Sequence, residues 1–157
     1  MASSVEDVFQ VIRDFRAKDG AELWPADDLE VKRQTVELYF QRGLVTLLND
    51  QDGRLAGFLF FYRDYQFKGL NVGQRFPAGP FVVCEFFWIR EDCRNRVFAR
   101  SLIEKCLREN REKLLGAEWL VYEDADNGFK TRIFDFGKFV RRYLWQRAEA
   151  VQHKNRQ

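Results

Sequence analysis

The sequence predicts an α/β fold, a mixed sheet with helices on both faces, and three observations carry that reading. Two stretches with helical spacing open the chain, a hairpin signal follows them, and a strand–helix–strand succession then runs from Phe81 to Tyr122. A hairpin is antiparallel, whereas a crossover through a helix joins parallel neighbours, so both kinds of pairing meet in one sheet.

The elements follow in order. Ser3 and Glu6 have capping-box spacing, and Val5, Val8, Phe9, Ile12 and Phe15 repeat at helical intervals, which predicts a first helix ending near Gly20. Asp27 and Glu30 repeat the cap signal, and Leu29, Val36, Tyr39 and Phe40 form the stripe of a second helix up to Gly43. Leu44 to Leu48 and Leu55 to Tyr62 are β-prone runs joined by Asn49-Asp50-Gln51-Asp52-Gly53, a hairpin with a short polar loop. Asp64 to Pro80 shows no period and reads as a long loop, of a length that in compact domains is usually functional or mobile. Phe81 to Ile89 is a mostly apolar strand. Asn95 to Leu115 reads as a long helix closed by Gly116, and Glu118 to Tyr122 as a short strand. The spacing then predicts a helix over Gly128 to Phe136 and a last strand over Phe139 to Trp145. Residues 1–147 form a single domain in this reading, and 148–157 a polar tail.

Composition narrows the function classes. A chain of 157 residues, 46% hydrophobic and 32% charged, suits one globular core. Its 26 basic and 24 acidic residues leave a net charge of +2, which gives nucleic acid no global field to answer and restricts any anion site to a local cluster. The longest apolar run, Phe81 to Ile89, is too short to cross a membrane, and the N-terminus lacks the basic and apolar regions of a signal peptide. A cytoplasmic protein is expected. Cys84, Cys93 and Cys106 are odd in number, lack CxxC spacing and are accompanied by one histidine, His153, so neither a disulfide framework nor a metal site is expected. Cys84 in its apolar strand, and the aromatics from Phe58 to Tyr62, read as core.

One segment stands out chemically. Arg94-Asn95-Arg96-Val97-Phe98-Ala99 opens the long helix directly after the apolar strand, and a helix N-terminus presents free N–H groups and a positive potential to an anion. Arg90, Arg94, Arg96 and Arg100 add guanidinium forks suited to phosphate.

That motif and the order of elements together resemble the Gcn5-related N-acetyltransferase (GNAT) superfamily, over the chain up to Trp145. The family carries Arg/Gln-x-x-Gly-x-Gly/Ala at this place, and Arg94 and Ala99 match, while Val97 stands where the family has its first glycine. The resemblance implies acetyl-CoA as co-substrate, held by Ile89, Arg94, Asn95, Arg96, Val97, Phe98, Ala99 and Asn127, with no metal. It also implies a catalytic role for Glu85, the carboxylate that interrupts the apolar strand where relatives project a general base. Late in the chain Ile133-Phe134-Asp135-Phe136-Gly137-Lys138-Phe139 resembles the family's aromatic helix before a Gly-Phe strand. Phe134 there replaces a tyrosine that protonates the departing thiolate in many relatives.

The implied activity is N-acetyl transfer to a small-molecule or peptide amine. The alternative is a non-catalytic GNAT-like module that works through protein partners or self-association. Proteins of similar size and segment order occur in tailed bacteriophages, which would make it a virion or assembly component. Neither reading involves a membrane, and the near-neutral charge disfavours nucleic acid.

Overall fold

The computed structural model describes residues 4–64, 80–114, 116–124 and 130–142. Helices α1 (Val5–Asp14) and α2 (Leu29–Gln41) open the chain. Each starts one residue later than the capping pattern suggests. Ser4 caps α1, its N–H donating to the Asp7 carboxylate at 2.9 Å, and Asp28 caps α2 by accepting from the Val31 N–H at 2.9 Å. α1 stops at Asp14, short of Gly20, whereas α2 ends as expected at Gly43. That glycine adopts φ +64°, and the Leu44 N–H reaches back to the Tyr39 carbonyl at 2.9 Å.

Strands β1 (Val45–Asn49) and β2 (Leu55–Asp64) form the hairpin, and β3 (Phe81–Ile89) has the predicted bounds. The long helix is broken at Asn110 into α3 (Arg96–Glu109) and a single turn, α4 (Arg111–Leu114). The Asn110 side-chain amide turns back onto the Cys106 carbonyl at 2.9 Å, satisfying a carbonyl of the last α3 turn. β4 (Trp119–Asp124) follows.

The sheet runs β1-β2-β3-β4-β5, with β3 and β4 parallel and the other neighbours antiparallel. The mixed sheet, helices on both faces, and the parallel pairing of Phe81–Ile89 with the strand after Gly116 are therefore as the sequence predicts. On one face α1 and α2 cover Phe58, Phe60 and Phe86; on the other, α3 covers Leu59, Phe61, Val82 and Cys84. The phenylalanine load is largely core, with Phe58, Phe60 and Phe61 fully buried.

Two elements are reversed from expectation. Lys130–Asp135 is strand β5, not a helix, and residues 136–142 are a helix, α5, where a strand was expected. Ile133 and Phe136 stand three apart, a helical separation, yet β5 pairs residue for residue with β4, from Trp119 with Asp135 to Asp124 with Lys130. The boundary is set by Asp135, whose carboxylate accepts from the Lys138 N–H at 2.9 Å as a helix cap. From there Phe136, Phe139 and Val140 repeat at i, i+3 and i+4 onto the α3-side core. Phe134 thus lies on a strand, and Gly137-Lys138-Phe139 on a helix, the inverse of the late-segment resemblance.

Candidate active site

Glu85 sits at a discontinuity in β3. β2 pairs Phe60 with Phe86 but Phe61 with Cys84, so Glu85 is an extra residue with no partner across the pair. A bulge of this kind changes which face the following residues meet. Val82 and Cys84 lie in the α3-side core, whereas Phe86 and Trp88 lie with α1 and α2. Without the bulge, residues 82, 84, 86 and 88 would share one face.

The parallel pairing of β3 with β4 ends at the same place. Its last pair is Cys84 with Tyr122, and beyond it the two strands part from each other while staying paired with β2 and β5. A cavity of about 490 Å³ fills the resulting gap and draws its walls from both faces of the sheet, with Leu23 and Phe86 on one side and Ala99 and Cys106 on the other. That volume is in the range of small-molecule sites.

Glu85, Tyr122, Glu123 and Asp124 line the gap besides Arg94, and Tyr39 reaches it through Glu85. The Tyr39 hydroxyl, from the buried stripe of α2, donates to Oε2 of Glu85. Burial, and then that hydrogen bond, push the Tyr39 phenol well above its ordinary range, so it remains a donor at neutral pH. Glu123 follows Tyr122 on β4 and lines the cavity together with Glu85; burial, then the charge of Glu85, raise its carboxyl above the usual value. Tyr122 also lines the cavity and is 37% exposed. Strand alternation sets Tyr122 on the α3 side with Leu120, and Glu123 on the opposite side with Glu85. Tyr39, Tyr122 and Glu123 were not singled out as site residues from sequence. Tyr39 reads there as an apolar-stripe residue, and β4 carries no motif. The usable signal was the phenol in a buried helical stripe, which requires a polar partner such as the carboxylate inside an apolar strand.

The start of α3 is partly occupied by its own capping. Asn95 accepts from the Phe98 N–H at 2.8 Å, and the Ala99 N–H bonds the Asn95 carbonyl at 3.1 Å. The N–H groups of Arg96 and Val97 have no partner among the described residues, which narrows the anion-binding donors to these two. Val97 is 76% exposed, with its branched side chain in solvent at the start of α3. Arg94 lines the cavity, with Nε on the Ile89 carbonyl at 2.9 Å. Ile89 itself is buried in the α3-side core. Phe98 and Ala99 pack against that core, and Ala99 lines the cavity.

Of the four arginines, two are committed elsewhere. Arg90 grips Asp92 at 2.6 Å, Asp50 at 2.8 Å and the Leu55 carbonyl at 3.1 Å, tying the hairpin loop to the β3–α3 connection. Arg100 pairs with Glu104 at 2.9 Å. Asn127, the 65–79 loop and the 148–157 tail lie outside the described residues.

Among the described residues no group of His, Cys, Asp and Glu is placed to hold a metal, and no helix is long and apolar enough to cross a membrane. Burial pushes the Cys84 thiol up, and the Cys106 thiol to about 11, so both are un-ionised core thiols at neutral pH.

Comparison with known proteins gives one decisive match. The family model described as acetyltransferase (GNAT) family aligns over residues 9–129. No curated protein matches the sequence. Solved structures with a similar chain course include one described as a probable acetyltransferase, at 16% identity and TM-score 0.45, covering 69% of this chain and 66% of that one. Another is the aminoglycoside N-acetyltransferase AAC(6')-Iy in complex with CoA, at 21% identity and TM-score 0.45, covering 69% and 64%. A third is a ribosomal-protein-alanine N-acetyltransferase from Brucella melitensis biovar Abortus, at 16% identity and TM-score 0.38, covering 73% and 72%. The match spans just under two thirds of the length of the first two.

Proposed function

We propose, on the premise that the chain belongs to the acetyltransferase (GNAT) family, that it transfers an acetyl group from acetyl-CoA to an amine in the gap between β3 and β4. The observation that carries this reading is the coincidence at Glu85 of the β3 bulge, the end of parallel pairing and the cavity between the two faces.

The residues present fit the donor. The free N–H groups of Arg96 and Val97, at the positive end of α3, and the guanidinium groups of Arg94 and Arg96 hold the pyrophosphate. Acetyl-CoA, when bound, supplies an activated thioester carbonyl. On the α1/α2 face Glu85 takes the proton of the acceptor amine, directly or through water, while Tyr39 occupies Oε2 and leaves Oε1 for the substrate. Glu123, on the same face, favours a cationic acceptor over a neutral one. On the α3 face Tyr122, which lines the cavity, delivers the proton that the departing thiolate takes up, a role Phe134 has no proton to fill.

Titration calorimetry with acetyl-CoA, followed by assay against polyamines, aminoglycosides and lysine peptides, tests the reading. Saturable donor binding and turnover of a cationic amine support it. Absence of both overturns it in favour of a non-catalytic module, a small-molecule site being then replaced by protein contacts.

A further inference from the structure

The cavity does not end at the gap. It continues between α3 and the paired halves of β3 and β4, where Val82 and Leu120 form a floor and Ile103, Leu107 and Leu114 a roof. From Ala99 at its mouth to Leu107, the α3 wall is ~12 Å long at the rise of an α-helix. This inner part is apolar. Cys106, the softest group on its wall, is a buried thiol that stays protonated. The side chains named on its walls carry no nitrogen or oxygen, so they offer water no hydrogen-bond partner. A dry hollow beyond a reaction point suits an apolar extension of the group being transferred.

We propose that this chamber receives the tail of an acyl group longer than acetyl, so that the preferred donor is a medium-chain acyl-CoA. The inference rests on the donor site proposed above and adds the identity of the acyl group to it. Burial of the chain, with no charge or hydrogen bond involved, supplies the preference. Each further buried methylene is worth roughly fourfold in affinity, so incomplete burial of a hexanoyl tail still gives a gain above about tenfold. The thioester is cleaved as for acetyl: the amine nitrogen forms the new C–N bond, the C–S bond breaks, and the sulfur leaves as the thiol of CoA with the proton it receives.

The test is equilibrium binding by calorimetry of CoA, acetyl-CoA and hexanoyl-CoA to the full chain. Two variants narrow the chamber from opposite walls, Ile103→Phe on α3 and Leu120→Phe on β4, each checked for a native thermal transition. The expected result is that hexanoyl-CoA binds at least about tenfold tighter than acetyl-CoA to the wild type. A folded variant should lose that gain while its affinity for acetyl-CoA stays within about twofold. Equal affinities for the two thioesters, or a gain that survives both substitutions, overturn the chamber while leaving the donor site standing. No binding of any of the three ligands overturns the donor site itself, and the chamber with it.

Discussion

Tyr39 on α2 donates its hydroxyl to the carboxylate of Glu85, a residue 46 positions away that belongs to no regular pair of the sheet. Tyr39 is in turn held by stacking on Phe60, with ring centroids 4.5 Å apart at 10°. The orientation of the candidate base is therefore set by an aromatic stack in the core. Tyr39→Phe keeps the stack and removes the donor. Turnover should fall by roughly fivefold with donor affinity unchanged, since a typical hydrogen bond contributes about 1 kcal/mol. Steady-state kinetics beside acetyl-CoA titration checks this, and a loss confined to donor affinity would contradict it.

Glu85→Gln preserves the side-chain volume and an acceptor for Tyr39 while abolishing the base. A fall of roughly 10²–10⁴-fold in kcat is expected, with little change in donor affinity. Full turnover in this variant would remove Glu85 from the chemistry.

Charge reversal at the start of α3, Arg94→Glu together with Arg96→Glu, should abolish acetyl-CoA binding. Circular dichroism and the thermal transition should remain near those of the wild type, because the Asn95 cap and the buried face of α3 are untouched. Retained affinity would place the pyrophosphate elsewhere.

Gly57 is where β2 allows α3 to come close. A methyl group there would lie 3.1 Å from the Trp88 carbonyl, 3.3 Å from the Phe98 ring and 3.4 Å from Leu102. Gly57→Ala should cost about 1–3 kcal/mol in denaturant unfolding and displace the α3 N-terminus, weakening donor binding as well. A neutral or stabilising effect would show that the helix can shift freely.

The raised carboxyl of Glu123 fixes the sign of a pH effect. Folding disfavours its charged form, so the native state binds more protons than the unfolded chain above the ordinary glutamate value of 4.5, and stability is lost as pH rises through that window. Glu123→Gln should raise Tm at neutral pH and leave it unchanged near pH ~3, where the wild-type group is protonated in both states. Melting curves at the two pH values decide it.

Much of this arrangement was legible in the sequence because periodicity and turn chemistry agree. The apolar run Phe81–Ile89 gave the strand, the apolar spacing after Asn95 the long helix, and the polar Asn49–Gly53 loop the hairpin. β5 and α5 were not legible, for an identifiable reason. β5 buries only Thr131 in a strand otherwise open to solvent, so it lacks the alternation that marks a half-buried strand, while its neighbours happen to share helical spacing. The bulge was hidden for the opposite reason: a strand apolar on both faces carries no period from which a slip of one residue could be read. Glu85 was visible as an interruption. Its partners were not, since no spacing in a chain announces that residues 39 and 85 will touch.

The one-residue slip at Glu85 makes β3 a splice of two half-strands, each loyal to a different core. Phe81–Cys84 serves the α3 side with its even positions, and Phe86–Ile89 serves it with its odd ones. Glu85 is the seam. Deleting it would let Cys84 and Phe86 follow one another in regular alternation opposite Phe61 and Phe60, with Phe86 and Trp88 still facing α1 and α2, so both cores would keep their tenants and only the carboxylate would be lost. Glu85 is thus an insertion that sets a carboxylate at the gap, and neither half-strand depends on it for the side it faces.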